Sequence, residues 1–442
     1  MPATPLDSGL YGALFGDSEL AALFTDGAEV HAMLRVEGAL AEVQGALGLI
    51  PPEAAAAIAR AARDAAPDPA ALAAATATNG VPVPGLVDAF RAAVGAPAAD
   101  FVHWGATSQD IVDTALVLRL RAALSILARR LDAVLAGLAG LAGTHAETAM
   151  AARTYGQLAT PTSFGAVAAG WGGPLLRLRA RLGTLRPHLL AVSLGGAAGT
   201  LAAMGPQGPA VRAGLAAALG LADPGTSWHS ARERIAELAG WLNGVAQALG
   251  RMGEDLILLA QTGIAEVRLD GAGGSSTMPH KQNPVAPSVL VALARLAVGL
   301  DAVVQGAALH RQQRDGGAWF AEWLSLPQLL LATGRALATA EALVPAVRPD
   351  PGRMAAGLDP DGLGLVHAEA LGFALSATLP RAEAQARVRA LCAEARATGT
   401  PLAALAARDH PGLAPPATAL GTAPAEARAF AAAAAALQSP AR

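Results

Sequence analysis

The run Gly271-Ala272-Gly273-Gly274-Ser275-Ser276-Thr277-Met278-Pro279-His280-Lys281-Gln282-Asn283-Pro284 stands apart from everything around it. Lys281 is the only lysine among 442 residues, so 31 of the 32 Lys+Arg are arginine. Asn283 is one of three asparagines, with Asn79 and Asn243. Arginine is a planar fork and lysine a compact point charge on a thin stem, so a tight site distinguishes them. Glycines and serines open the run and prolines stiffen its far side, which predicts a mobile loop that delivers a lysine and an amide. Such a loop reads as an active-site lid.

Working outward, the length exceeds one typical core and predicts two or three structural domains. The chain is 53% hydrophobic but only 4% aromatic, with 49 glycines. Such a composition predicts helices packed closely through small residues. A net charge of -3 lacks the basic stripe of a nucleic-acid binder. Mean hydropathy is high at +0.39, yet the longest uncharged run, Pro187 to Val211, is broken by glycines and prolines and does not read as a membrane span. The N-terminus carries no signal-peptide pattern. Cys392 is alone, which leaves no disulfide framework. A cytoplasmic protein with no membrane partner is expected.

Proline placement divides the chain. Residues 1–105 read as a first helical domain, with apolar residues at helical spacing from Ser18 to Leu47 and a new helix at Pro51-Pro52. Pro67-Asp68-Pro69 and Val81 to Pro84 read as loops. Proline-free windows at 98–160, 225–278 and 288–326 predict long helices; Leu124, Leu127, Leu131, Leu135 and Leu138 repeat at three and four residues. Pro174 is expected to kink or divide a helix between Thr162 and Leu185. Residues 106–345 form the expected central long-helix bundle and 346–442 a small helical C-terminal domain. No sustained period-2 alternation is present, so strands are expected to be minor.

Four further stretches carry chemistry. Asp100 to Asp110 places His103 ahead of Thr107 and Ser108, which fit a helix cap, with Asp110 suited to the first-turn dipole. The exposed N–H groups of such a helix start also bind carboxylates. Arg153 to Gly165 offers Tyr155, Gln157, Thr160 and Thr162; its plain structural reading is a polar helix start near Pro161. In Ser227 to Arg234, a Ser230–Glu233 capping box leaves Trp228, His229 and Arg232 without a role. His310 to Trp323 is dense in charge and aromatics, as a solvated helix end is. The nine histidines are scattered and there is no nucleotide-binding glycine motif. No metal and no cofactor is expected, only acid/base chemistry on an anionic substrate.

With these residues in view, Gly274 to Pro284 resembles the signature of the fumarase/aspartase superfamily, and Thr107 to Asp110 and Gln157 to Thr162 occur in that family's order. The resemblance implies an all-α, three-domain fold, a central bundle of long helices, and a homotetramer whose active sites are shared between subunits. Phe101 to Asp110, Leu194 to Leu201, Trp228 to Ile235 and Gly316 to Trp323 are most similar to the superfamily's bacterial cycloisomerases, which lactonise 3-carboxy-cis,cis-muconate in protocatechuate breakdown. Tyr155 stands where the lyases of the superfamily carry a catalytic histidine, and Gln282 where arginine is common. The implied catalytic residues are Ser275, Lys281 and Asn283. His103, Thr107, Ser108, Tyr155, Gln157, His229, Arg232, Ser276 and Met278 are the expected substrate-binding residues for a small polycarboxylate. An adenylosuccinate-lyase-like enzyme releasing fumarate is the alternative.

Overall fold

The computed structural model describes residues 4–271, 273–274, 277–411 and 418–437. Among the described residues helices dominate, and the fold class is all-α with two short antiparallel strand pairs. In chain order these are α1 (Gly12–Phe15), α2 (Ser18–Ala21), α3 (Asp26–Ala46), α4 (Pro52–Asp64), α5 (Pro69–Asn79), α6 (Val83–Val94) and α7 (Ser108–Thr144). A hairpin follows, β1 (Ala149–Thr154) and β2 (Gln157–Ser163), then α8 (Phe164–Leu189), α9 (Gly208–Leu219) and α10 (Glu233–Leu259). Strand β3 (Val267–Leu269) leads to α11 (Val285–Ala307) and α12 (Gly316–Leu343), and β4 (Val347–Pro349) pairs antiparallel with β3. The C-terminal helices are α13 (Pro351–Leu358), α14 (Ala368–Leu375), α15 (Arg381–Thr398), α16 (Leu402–Asp409) and α17 (Ala423–Ala436).

The chain forms two compact units, residues 1–131, 177–250 and 292–338 in one, and 132–176, 251–291 and 339–442 in the other. Each of the five longest helices contributes residues to both units. The first unit has a core in which Met33, Leu34, Leu86, Phe90, Ile111 and Leu215 are buried. In the second, Leu371, Leu391, Ala395 and Leu402 form a smaller cluster.

Small residues do set the helix spacing. Gly38 and Gly45, seven residues apart on α3, face Ala62 and Ala55 on α4; a Cβ added at either would lie 2.7 or 2.4 Å from the facing alanine Cβ. The two helices therefore run antiparallel with their backbones in near contact, a spacing larger residues would forbid. Capping follows composition: Thr25 accepts from the Ala28 N–H at 3.2 Å and Asp68 from the Ala70 N–H at 3.0 Å.

Four details differ from the sequence reading. The 18–47 segment is broken, because Thr25 caps α3 afresh. Val83 and Pro84 belong to the first turn of α6, where proline lacks no needed hydrogen bond. α8 runs unbroken past Pro174. The stretch around Pro161 is a hairpin, not a helix start: Tyr155 (φ +51°) and Gly156 (φ +72°) form a two-residue turn with both φ positive, which joins twisted antiparallel strands. Pro161 pairs with Ala151 beside a register shift, where a missing N–H is tolerated.

Two helical stretches, Val285–Ala307 and Gly316–Ala346, are long and apolar enough to cross a membrane by length and composition; 61% of the apolar window of the second is buried within the protein. Gly45→Val is expected to lower the unfolding free energy by about 1–3 kcal/mol through overpacking of α3 on α4, read by chemical denaturation; unchanged stability would contradict the near-contact packing.

Candidate active site

The first unit organises its polar residues around Asp110. α7 begins at Ser108, so Thr107 occupies the cap position and Asp110 the first turn. The Asp110 carboxylate does more than complement the helix dipole. It accepts from the Thr107 N–H at 2.9 Å, the Gly195 N–H at 2.7 Å, the Gly196 N–H at 2.9 Å and His229 Nε2 at 2.7 Å. All four acceptor sites of the carboxylate are thus filled, at zero exposure. Gly196 (φ +68°) has the left-handed conformation that turns its N–H onto the carboxylate. This arrangement holds the loop between α8 and α9 against the head of α7.

One turn further along α7, Asp113 anchors Arg232. The Arg232 Nη1 donates to Asp113 at 2.6 Å, and its Nε donates to Glu322 at 3.0 Å, with a second short bond from Nη2. Gln109 and the Trp319 indole also donate to Asp113, at 3.1 and 3.2 Å. The Arg232 side chain is wholly buried, and its guanidinium lies 4.8 Å from the Trp228 ring centroid. Burial disfavours the Arg232 charge, but Asp113 and Glu322 more than offset it and raise its pKa. Burial is also the leading influence on Glu322 and pushes its carboxyl above the ordinary range, against the pull of Arg232. Because α10 starts at Glu233, Ser230 precedes it by three residues and no Ser230–Glu233 capping box forms.

His103 has a left-handed backbone (φ +62°), a strained choice for a side-chain-bearing residue. Its Nδ1 lies 2.6 Å from Glu37, whose side chain is 1% exposed. Burial lowers the imidazole pKa, yet the Glu37 carboxylate reverses this and holds it above its ordinary value; Asp110 adds to the rise and Arg91 opposes it. The segment before α12 closes the same region: Arg314 Nε donates to Gln109 at 2.9 Å, and Asp315 pairs with Arg311 and accepts from the Gly317 N–H. His310 has both ring nitrogens buried and unpaired, and burial, then the Arg232 charge, lower its pKa. A cleft of about 510 Å³ opens here, lined by Thr200, Arg212, Ser227, His229, Ser230 and Gln313.

The second unit carries the signature run and the hairpin. The run is closed at its base by a reciprocal backbone pair: the Gly273 N–H donates to the Asn283 carbonyl at 3.0 Å, and the Asn283 N–H donates back at 2.7 Å. A Cβ at 273 would lie 2.7 Å from a Val285 methyl group, so a larger residue there would have to displace that side chain. Met278 and Lys281 are exposed and Asn283 half-buried. Ser275 and Ser276 lie outside the described residues. Tyr155, at the hairpin tip, and Gln157 are exposed.

A family model described as a lyase matches residues 15–299. The 3-carboxy-cis,cis-muconate cycloisomerase of Pseudomonas aeruginosa is 43% identical over 394 residues, spanning 87% of this chain and 85% of the relative. The chain belongs to the fumarase/aspartase superfamily of lyases. The 3-carboxy-cis,cis-muconate cycloisomerase of Bradyrhizobium diazoefficiens is 40% identical over 389 residues, with 87% of this chain and 86% of the relative covered. The crystal structure of the 3-carboxy-cis,cis-muconate lactonizing enzyme from Pseudomonas putida superposes with a TM-score of 0.89 at 36% identity, covering 98% of this chain and 100% of that one.

Within this superfamily frame, the expected residues fall in two groups. His103, Thr107, Ser108, His229 and Arg232 belong to the first unit; Tyr155, Gln157, Met278, Lys281 and Asn283 belong to the second. No local sequence motif marks Glu37, Asp113 or Glu322. The available signal was a carboxylate recurring one turn after Asp110 on an apolar helix.

Glu37→Gln is expected to lower the His103 pKa, read by NMR titration of the imidazole. The sign follows from linkage: a folded pKa above the unfolded value gives stability that is complete below about pH 6.5 and is lost as pH rises through the folded pKa. That pH-dependent component should vanish in the variant. Arg232→Leu leaves Asp113 and Glu322 buried without their cation, and is expected to cost about 3–5 kcal/mol in denaturant unfolding; a near-neutral result would show the triad is dispensable.

Proposed function

We propose that this chain is a cycloisomerase that converts 3-carboxy-cis,cis-muconate to a carboxymuconolactone. The observation that carries this reading is the 40–43% identity, over most of the chain, to enzymes of that name. One substrate carboxylate adds to the carbon β to another carboxylate and closes the lactone ring. The electron pair of the attacked double bond moves onto the second carboxylate as a dianionic enolate. A proton delivered to the α carbon completes the isomerisation, and no second product leaves.

In this proposal Lys281 and Asn283 hold the enolate, as donors aimed at charge that develops in the transition state. Support comes from the closed base of their loop, which fixes Asn283 while leaving Lys281 at the exposed side. Ser275 is the proposed proton donor to carbon and Ser276 and Met278 its neighbours in the substrate loop. The nucleophile is the substrate's own carboxylate, so proximity supplies much of the rate. His103, whose pKa Glu37 raises, is proposed to bind a substrate carboxylate with Thr107 and Ser108, and Tyr155 and Gln157 are the proposed substrate contacts of the second unit. His229 and Arg232, expected to bind substrate, are buried and bonded to carboxylates of α7, and are proposed instead to position that surface.

The protein is further proposed to be a cytoplasmic homotetramer with three domains divided near residues 105 and 345, its sites shared between subunits. Support for the assembly comes from α11, an apolar helix with only 39% of its apolar window buried within one chain, and with Leu296, Val298 and Val303 exposed. No cofactor or metal enters the proposed chemistry.

Incubation with 3-carboxymuconate should remove the diene ultraviolet band and release nothing else; appearance of fumarate from adenylosuccinate would select the lyase alternative. Lys281→Ala is expected to lower kcat by about 10²–10³-fold, the loss of one oxyanion donor. Lys281→Arg keeps the charge, and full activity in it would sink the claim that ammonium geometry matters.

A further inference from the structure

The hairpin that presents Tyr155 and Gln157 is two strands long, and such a ribbon holds no fixed position by itself. Met150 and Ala151 of β1 are buried, and one ion pair fixes the ribbon near its tip. Arg153, the last inward residue of β1, donates through Nη1 and Nη2 to the two oxygens of Glu266, both at 2.8 Å. A bidentate fork fixes direction as well as distance. The register shift between Ala151 and Arg153 lies immediately before it and re-aims the strand there.

Glu266 is itself immobilised. Its side chain is 1% exposed. Its N–H donates to the Leu259 carbonyl at the end of α10, and its carbonyl accepts from the Asp350 N–H, each at 2.9 Å. The next residues are β3, which continues into the signature run. Helix α13 lies over the ion pair: a Cβ at Gly357 would sit 2.7 Å from Glu266 Oε1 and 4.0 Å from Arg153 Nη2. Only a residue without a side chain lets the helix approach so closely. A buried ion pair is a weak source of net stability compared with apolar packing, but its geometry is specific.

We infer that the Arg153–Glu266 pair is a positioning device, which sets the Tyr155–Gln157 hairpin relative to the strand that feeds the signature loop. The inference rests on the proposed substrate role of Gln157. Arg153 and Glu266 do not touch substrate; they act through the hairpin.

Steady-state kinetics of the full chain on 3-carboxymuconate test it, with Glu266→Gln, Gln157→Ala and the double variant. Glu266→Gln is expected to lower kcat/KM by about 10- to 100-fold, the loss that follows a displacement on the order of 1 Å. The double variant should be no worse than the worse single one, because both changes remove the same contact; losses that multiply overturn the inference. Arg153→Lys, which loses the fork but keeps the charge, and Gly357→Ala, which crowds the carboxylate, should lower kcat/KM in the same direction and replace Glu266→Gln in the cycle if that variant does not fold. Amide hydrogen exchange gives a reading independent of substrate. Residues 149–163 should exchange faster in Glu266→Gln while 103–113 are unchanged, and an unaltered hairpin overturns the inference. A wild-type chain inactive on 3-carboxymuconate counts against the proposed function, and the exchange result then judges the ion pair alone.

Discussion

A single carboxylate with no spare acceptor capacity governs the polar half of the first unit. Asp110 takes two backbone N–H groups from the glycine loop, one from the cap of its own helix, and an imidazole nitrogen. Hydrogen bonds to a charged acceptor contribute about 1.5–3 kcal/mol each, and a buried carboxylate deprived of them carries the desolvation cost unrelieved. The helix start, the loop at 195–196 and the segment at 229 are therefore held as one body. Asp113 repeats the device one turn later with Arg232 and Glu322, and Trp228 and Trp319 seal it from water.

The second unit solves a similar problem with a different balance. Its polar node is Glu266, held by an arginine and by two backbone hydrogen bonds, and a glycine on α13 makes room for it. In both units the apolar helices supply bulk stability, and a few buried carboxylates specify which loop sits where. A chain that is 53% hydrophobic and 15% charged can place only a few charges inside, and those few are nearly all paired with arginine or histidine.

The long helices were legible because proline-free windows and leucine spacing are local signals. The small-residue packing was legible as composition, though not as the particular Gly38 and Gly45 contacts. The hairpin was not legible: its register is irregular, its β2 strand contains Pro161, and its turn places a tyrosine at positive φ. The signature run was recognisable residue by residue, and so were Thr107 to Asp110. What escaped was the partner of each charge. Glu37 lies 66 residues from His103, and Glu322 lies 90 from Arg232, so only the folded chain brings them together. Asp110 was read as a helix-dipole residue because nothing local announces the loop at 195–196.

The rarity of lysine has a practical side. With arginine serving nearly every other cationic role, an amine-directed reagent finds one ε-ammonium in the whole chain, at Lys281, besides the terminal amine. Its side chain is exposed in a loop whose base is pinned at Gly273 and Asn283. Covalent labelling of side-chain amines in this protein is thus chemistry at a single address. With the terminal amine blocked, a reporter attached at Lys281 would follow the signature loop alone.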